Sequence, residues 1–202
     1  RGVQYIELRS LDVNAYHPLG VDELQLRFLE TLMMTCLLAD SPVLSEAEQE
    51  AINQNVLDVA HRGREPGLEL NRDGEPILLK EWGQQIVNAM LPVAEFLDRL
   101  HACHDYEDAL DEQFNKVLQP DLTPSARMLN EMRSNGESFY HFAHRLSLQH
   151  HRFFSERELS ADTSKNFDAL VKQSFADQAD IEAEAQKDFD LFLEDYFAQT
   201  YQ

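Results

Sequence analysis

The chain has 202 residues, long enough for one substantial domain with a core of its own, and its 43% apolar content rules out a wholly disordered polymer. A net charge of −20 disfavours nucleic acid and anionic membrane surfaces, both of which attract excess Lys and Arg. Residues 2–9 alternate with period two, so Val3, Tyr5, Glu7 and Arg9 share one face of a strand while Gln4, Ile6 and Leu8 share the other. Ile6 and Leu8 are expected to bury against helices. A loop, "NAYHPLGV", follows. Asp22 caps a helix to about Ala39 whose apolar residues recur at three and four, which predicts a position central to the core. "SEAE" is a capping box from Ser45 to Glu48 that opens a helix ending at Gly63. "REPGLELNRDGEPI" is a loop, at most a short hairpin across Asp73-Gly74. Residues 79–101 form a long helix that Pro92 should kink, with Trp82, Ile86, Met90, Val93, Phe96, Leu97 and Leu100 on its apolar side. "DYEDALDEQFNKVL" is the next helix, and Thr123 with Pro124 starts another that stops before Gly136. Residues 137–154 are rich in aromatic residues and histidine at helical spacing. Ser155 and Glu158 suggest a second capping box, and the tail from Lys165 to Tyr201 reads as one helix or two.

The fold class is therefore mainly α. A helical bundle over 21–202 follows one strand and loop over 1–12. That strand cannot satisfy its own backbone groups, and the weak hairpin is a poor partner for it. The expectation is an antiparallel sheet completed by an upstream segment, α+β in the whole protein; the absence of an initiator Met agrees with a processed product or fragment. There is no Gly/Ser linker and no internal repeat. The longest apolar stretch, "LETLMMTCLLA", is too short for a bilayer and carries Glu30, and no signal peptide is recognisable. The two cysteines suggest no disulfide framework, so a reducing cytoplasm is the default, with Cys36 as a core thiol.

Among groups able to carry chemistry, Glu7 and Arg9 stand out. On one strand face their Cα atoms lie about 6.5–7 Å apart. The acid can bind Mg²⁺ while the guanidinium forks onto phosphate oxygens; an ordinary ion pair on a solvated face has the same spacing. His101/His104, His141/His144 and His150/His151 are spaced for shared metal ligation, with Asp105 or Glu107 near the first pair, yet no third ligand is apparent and solvated or capping roles suit them better. Cys103 lacks a base to activate it. Arg64, in "HRGREPG", is a basic spot able to meet phosphate, although basic residues there also complement a helix dipole.

Four blocks carry a resemblance. "RGVQYIELRSLDVN", "PLGVDELQLRFLETLMMTCLLADSP", "GREPGLEL" and "DLTPSARML" resemble the C-terminal part of proteobacterial glutamate–cysteine ligase. The resemblance implies an enzyme that uses ATP to phosphorylate the γ-carboxylate of glutamate, after which the amine of cysteine attacks, the first step of glutathione synthesis. It implies Mg²⁺ and ATP as cofactors, glutamate and cysteine as partners, and a curved antiparallel sheet related to that of glutamine synthetase. The family's "YIE-R" strand supplies a metal-binding glutamate and a phosphate-contacting arginine, which fall on Glu7 and Arg9. Tyr5 would line the same face, and the other ligands would lie upstream, so this chain alone is expected to be inactive. The alternative is a non-catalytic acidic helical module that docks through its exposed strand.

Overall fold

The structure is a computed structural model, and it describes residues 4–9, 11–184 and 188–198. Residues 1–3 and Ser10 of the expected strand, and the tail beyond residue 198, lie outside the described residues. The chain divides into two compact units, residues 1–153 and 154–202.

The first unit is built on helices whose ends are chemically specified. Helix α1 (Glu23–Leu38) starts at Asp22, whose carboxylate accepts from the Gln25 amide, while the Gln25 side chain reaches back to the Asp22 N–H. Helix α2 (Glu46–Arg62) carries the predicted Ser45/Glu48 capping box. Strands β1 (Glu69–Arg72) and β2 (Glu75–Leu78) pair antiparallel, with Leu70 opposite Ile77. Asp73 at φ 56° and Gly74 at φ 87° make the tight turn between them, which suits the left-handed residues a two-residue hairpin requires. The outer edge of β1 is not left bare. The Asn55 side chain of α2 donates to the Asn71 carbonyl at 2.6 Å and accepts from the Asn71 N–H at 2.9 Å, standing in for a neighbouring strand.

Helices α3 (Leu79–His101) and α4 (Asp105–Leu118) form the core. Val87, Met90, Ala94 and Leu97 pack against Tyr106 and Leu110, with Phe28 and Leu32 of α1 alongside. A 3₁₀ turn at Pro120–Leu122 leads to α5 (Pro124–Asn135), which ends on Gly136 at φ 62°, and then to α6 (Phe139–Ser155). Tyr16 ties the loop before α1 to this end of the unit. Its hydroxyl donates to Glu131 at 3.0 Å, its ring stands edge-on to Phe142, and Arg127 lies over it at 4.4 Å. Arg145 then bridges Glu131 and Glu137.

The second unit holds α7 (Ala161–Ala183) and α8 (Phe189–Ala198). No described residue of either helix is buried, so the apolar stripe of Phe167, Leu170, Val171 and Phe175 is exposed.

Several expectations need correction. Helix α1 is not central: among its described residues only Thr31 is buried, and Leu37 and Leu38 face solvent because α3 and α4 cover one side of the helix only. Cys36 is exposed for the same reason and is not a core thiol. On α3 the buried line runs through Val87, Ala94 and Asp98, whereas Phe96 and Leu100 are exposed. Ser155 is the last residue of α6, and the cap of the next helix, α7, is Ser160, which accepts from the Thr163 N–H at 3.1 Å. In line with the expectation that the strand has no partner in this chain, residues 4–9 enter no ladder among the described residues, and the hairpin pairs with itself.

Candidate functional site

Glu7 and Arg9 meet as their spacing requires. Arg9 Nε donates to Glu7 Oε1 at 2.9 Å, and Arg9 Nη2 donates to Glu7 Oε2 at 3.0 Å. The fork is the geometry in which a guanidinium takes two oxygens of a carboxylate or a phosphate. The pair is exposed, so water competes for every one of its contacts. Tyr5 is exposed as well. Ile6 and Leu8, expected to be buried, are 65% and 46% exposed, because the described residues supply nothing that covers that face.

The donor set is suited to a hard cation and a polyphosphate. Glu7 offers two carboxylate oxygens, which match the oxygen preference of Mg²⁺, an ion that fills its remaining positions with water and phosphate oxygens. Arg9 offers two parallel N–H groups for a phosphate. The same two side chains now satisfy each other, so a bound metal and anion would replace a contact that water already weakens.

Arg64 is not brought to this pair by any described contact. It stands in the loop between α2 and β1, at the wall of a cavity of about 690 Å³ that α3, α4 and the start of α5 also line.

Among the described residues the structure gathers one group of possible metal ligands, of which His104 and Glu107 but not Asp98 were expected from the sequence. Asp98, His104 and Glu107 bring ligand atoms within 4.8 Å of one another, whereas His101 stacks on Tyr106. Asp98 is already committed. One oxygen accepts from the Tyr106 N–H at 3.0 Å and from the Cys103 thiol at 3.3 Å, and the other accepts from the Glu107 N–H at 3.0 Å. It is an acid of one helix capping the next, placed there by the tight connection in which Ala102 adopts φ 52°. Burial alone would push the Asp98 carboxyl up. The amides of Tyr106 and Glu107, the thiol and His104 outweigh it and hold the carboxyl below its ordinary value. Its sequence signal was an acid on α3 within one turn of a non-glycine helix stop, which periodicity assigns to the solvent side. The Cys103 thiol donates to Asp98. A backbone N–H bond from Asp105 favours the thiolate, but burial and the carboxylates of Asp98 and Asp105 win and raise the thiol. His141 pairs with Ser138 at the start of α6, and His144 stacks on Tyr140, in keeping with capping and packing roles.

A sequence profile described as glutamate-cysteine ligase matches residues 1–59, the part that carries Glu7, Arg9 and α1. Glutamate–cysteine ligases of Pseudomonas fluorescens and Azotobacter vinelandii are 40% and 42% identical to this chain over 179 residues, 89% of its length. The chain belongs to the glutamate–cysteine ligase family. It spans about a third of the length of those relatives, 34% in each case. The crystal structure of the glutamate–cysteine ligase of Francisella tularensis in complex with AMP matches 98% of the chain with a TM-score of 0.85 at 29% identity, over 39% of that protein. The helical architecture of this part of a glutamate–cysteine ligase is thus shared with a solved member of the family. Among the described residues, no helix is long and apolar enough to cross a membrane.

Proposed function

We propose that this chain is the C-terminal part of an ATP-dependent ligase that joins glutamate to cysteine as γ-glutamylcysteine, and that Glu7 and Arg9 form one wall of its Mg·ATP site. The observation that carries the reading is the Glu7–Arg9 fork, exposed on an extended segment within the stretch that matches the family profile. A relative bound to AMP supports a nucleotide at the family's site.

The roles follow from the groups. The Glu7 carboxylate would hold Mg²⁺ through its oxygens. The Arg9 guanidinium would then offer its Nε–H and Nη2–H to phosphate oxygens and oppose the negative charge that grows there. When bound, ATP with Mg²⁺ supplies the phosphoryl group that activates the γ-carboxylate of glutamate. Tyr5, two residues before Glu7, lines the same side of the segment. The Tyr16 anchor fixes the loop before α1 onto α5 and α6. One acid is too few for a complete metal site, so the isolated 202-residue chain should form no γ-glutamylcysteine. A cytoplasmic setting, where cysteine stays reduced, fits this chemistry.

The test is Glu7→Ala in the full-length ligase. Turnover at saturating Mg·ATP should fall by about 100-fold or more, the scale on which removal of one charge-stabilising group acts. Near-wild-type turnover would remove Glu7 from the site.

A further inference from the structure

Two of the four blocks that carry the family resemblance, "GREPGLEL" and "DLTPSARML", play no part in the Glu7–Arg9 reading. They are separated by some fifty residues of chain, yet both reach the wall of the cavity that holds Arg64. At about 690 Å³ it lies within the range of small-molecule sites, and its body is apolar, with Phe28, Leu68, Ile86 and Val117 among its lining.

Its rim carries charge of the opposite sign to the chain. Against 37 acidic and 17 basic side chains overall, three of the cations, Arg64, Lys80 and Lys116, line this one cavity. The loop that presents Arg64 is pinned on both sides of it. Arg62 forks onto Glu65 at 2.8 and 3.0 Å, and the Glu65 N–H donates to the Arg62 carbonyl at 2.7 Å. That fork uses up the acid nearest to Arg64, which has no ion pair or hydrogen bond among the described residues. The Lys80 ammonium donates to the Leu118 carbonyl at 3.3 Å, so it keeps its charge uncompensated; Lys116 is neutralised by Glu112. Thr123, the N-cap of α5, and Pro124, its first residue, lie on the same wall and add the positive end of a helix. In so acidic a molecule, two uncompensated cations over an apolar cavity attract an anion whose body can leave water.

We propose that this cavity binds a small anion with an apolar body, a phosphate or carboxylate attached to a flat or aliphatic group, with Arg64 and Lys80 on the anionic end. A nucleoside monophosphate and a medium-chain acyl carboxylate share that chemistry. The site goes beyond the Glu7–Arg9 reading and does not depend on it.

Trp82, the single tryptophan, sits on α3 next to Gly83 of the lining and gives a built-in fluorescence signal. The experiment titrates the 202-residue chain with AMP and, separately, with octanoate, following Trp82 emission and binding heat. Saturable binding of either probe is expected; binding of AMP alone identifies a nucleotide, and binding of octanoate alone an acyl chain. Arg64→Glu should weaken that binding at least about tenfold through charge reversal. Ile86→Asp, at a half-exposed lining position that tolerates a polar group, should do the same, with circular dichroism unchanged in both variants. Glu7→Ala should bind as wild type while losing turnover in the full-length ligase. The proposal is overturned if neither probe saturates, if Arg64→Glu and Ile86→Asp both bind like wild type, or if Glu7→Ala abolishes binding.

Discussion

Glu7 and Asp98 are both carboxylates held by two or more N–H or S–H donors, and they differ in everything else. The partner of Glu7 is a side chain two residues away, both are exposed, and nothing else depends on the contact. Asp98 is 4% exposed and takes its donors from the first turn of the following helix and from Cys103 in the connection between the two helices. A ligand can replace the first set of contacts at little cost, because water already competes for it. Replacement of the second would leave buried amides without partners. The contrast separates an acid whose exposed contact a ligand can displace, as the proposed Mg·ATP role requires, from an acid used for architecture.

Exchanging the two residues for alanine should give opposite outcomes. In the full-length ligase Glu7→Ala removes activity, by about 100-fold or more, and leaves the urea unfolding midpoint where it was. Asp98→Ala should lower the unfolding free energy by about 2–3 kcal/mol, since it uncaps α4 inside the core and strands the Tyr106 and Glu107 amides. The same chemical denaturation series reads both. If Asp98→Ala were as stable as wild type while Mg²⁺ binding was lost, Asp98, His104 and Glu107 would be a metal site, and the comparison would break.

Acid should sharpen the distinction. The folded-state pKa of Asp98 is depressed, so its contribution to stability is present above the unfolded-state value and is lost as pH falls through the folded one. The stability gap between wild type and Asp98→Asn should therefore be constant near neutrality and begin to close below about pH 4, where the unfolded carboxyl titrates. A gap that widened on acidification would mean that burial, and not the amide donors, controls this group.

These two carboxylates also show what a sequence makes legible. Local chemistry was readable: the Asp22 and Ser45 caps, the helices over 79–101 and 105–118, the Thr123-Pro124 start and the Gly136 stop all depend on residues within one turn of each other. The pairing of Glu7 with Arg9 was readable for the same reason. Asp98 was not, because its value comes from the direction in which α4 leaves α3, a turn made by Ala102 in a conformation that sequence does not favour. The exposure of α1 was also hidden, since its apolar residues recur on most sides of the helix while its covered face is set by how α3 and α4 pack. The cavity was hidden in the same way. Phe28, Arg64, Lys80 and Pro124 become neighbours only after the fold has formed. Ser155 misled because a serine followed three residues later by glutamate also occurs where a helix is ending, and Ser160 captured the next start.

A part-buried polar contact between α4 and α1 tests the architectural side at smaller scale. The Tyr106 hydroxyl donates to Glu30 at 2.7 Å and accepts from Arg27 at 2.8 Å, while its ring is fully buried beneath the Arg27 guanidinium. Tyr106→Phe keeps the ring and its packing and removes only the hydroxyl. The expected loss is about 1 kcal/mol, well below that of Asp98→Ala, because Glu30 and Arg27 stay close to solvent and to each other and recover water or their own ion pair. The measurement is again the urea midpoint, with the slope unchanged. A loss as large as that of Asp98→Ala would mean that α1 is held to the core by this hydroxyl more than by Phe28 and Leu32, and the partial cover of α1 would then be a polar attachment and not an apolar one.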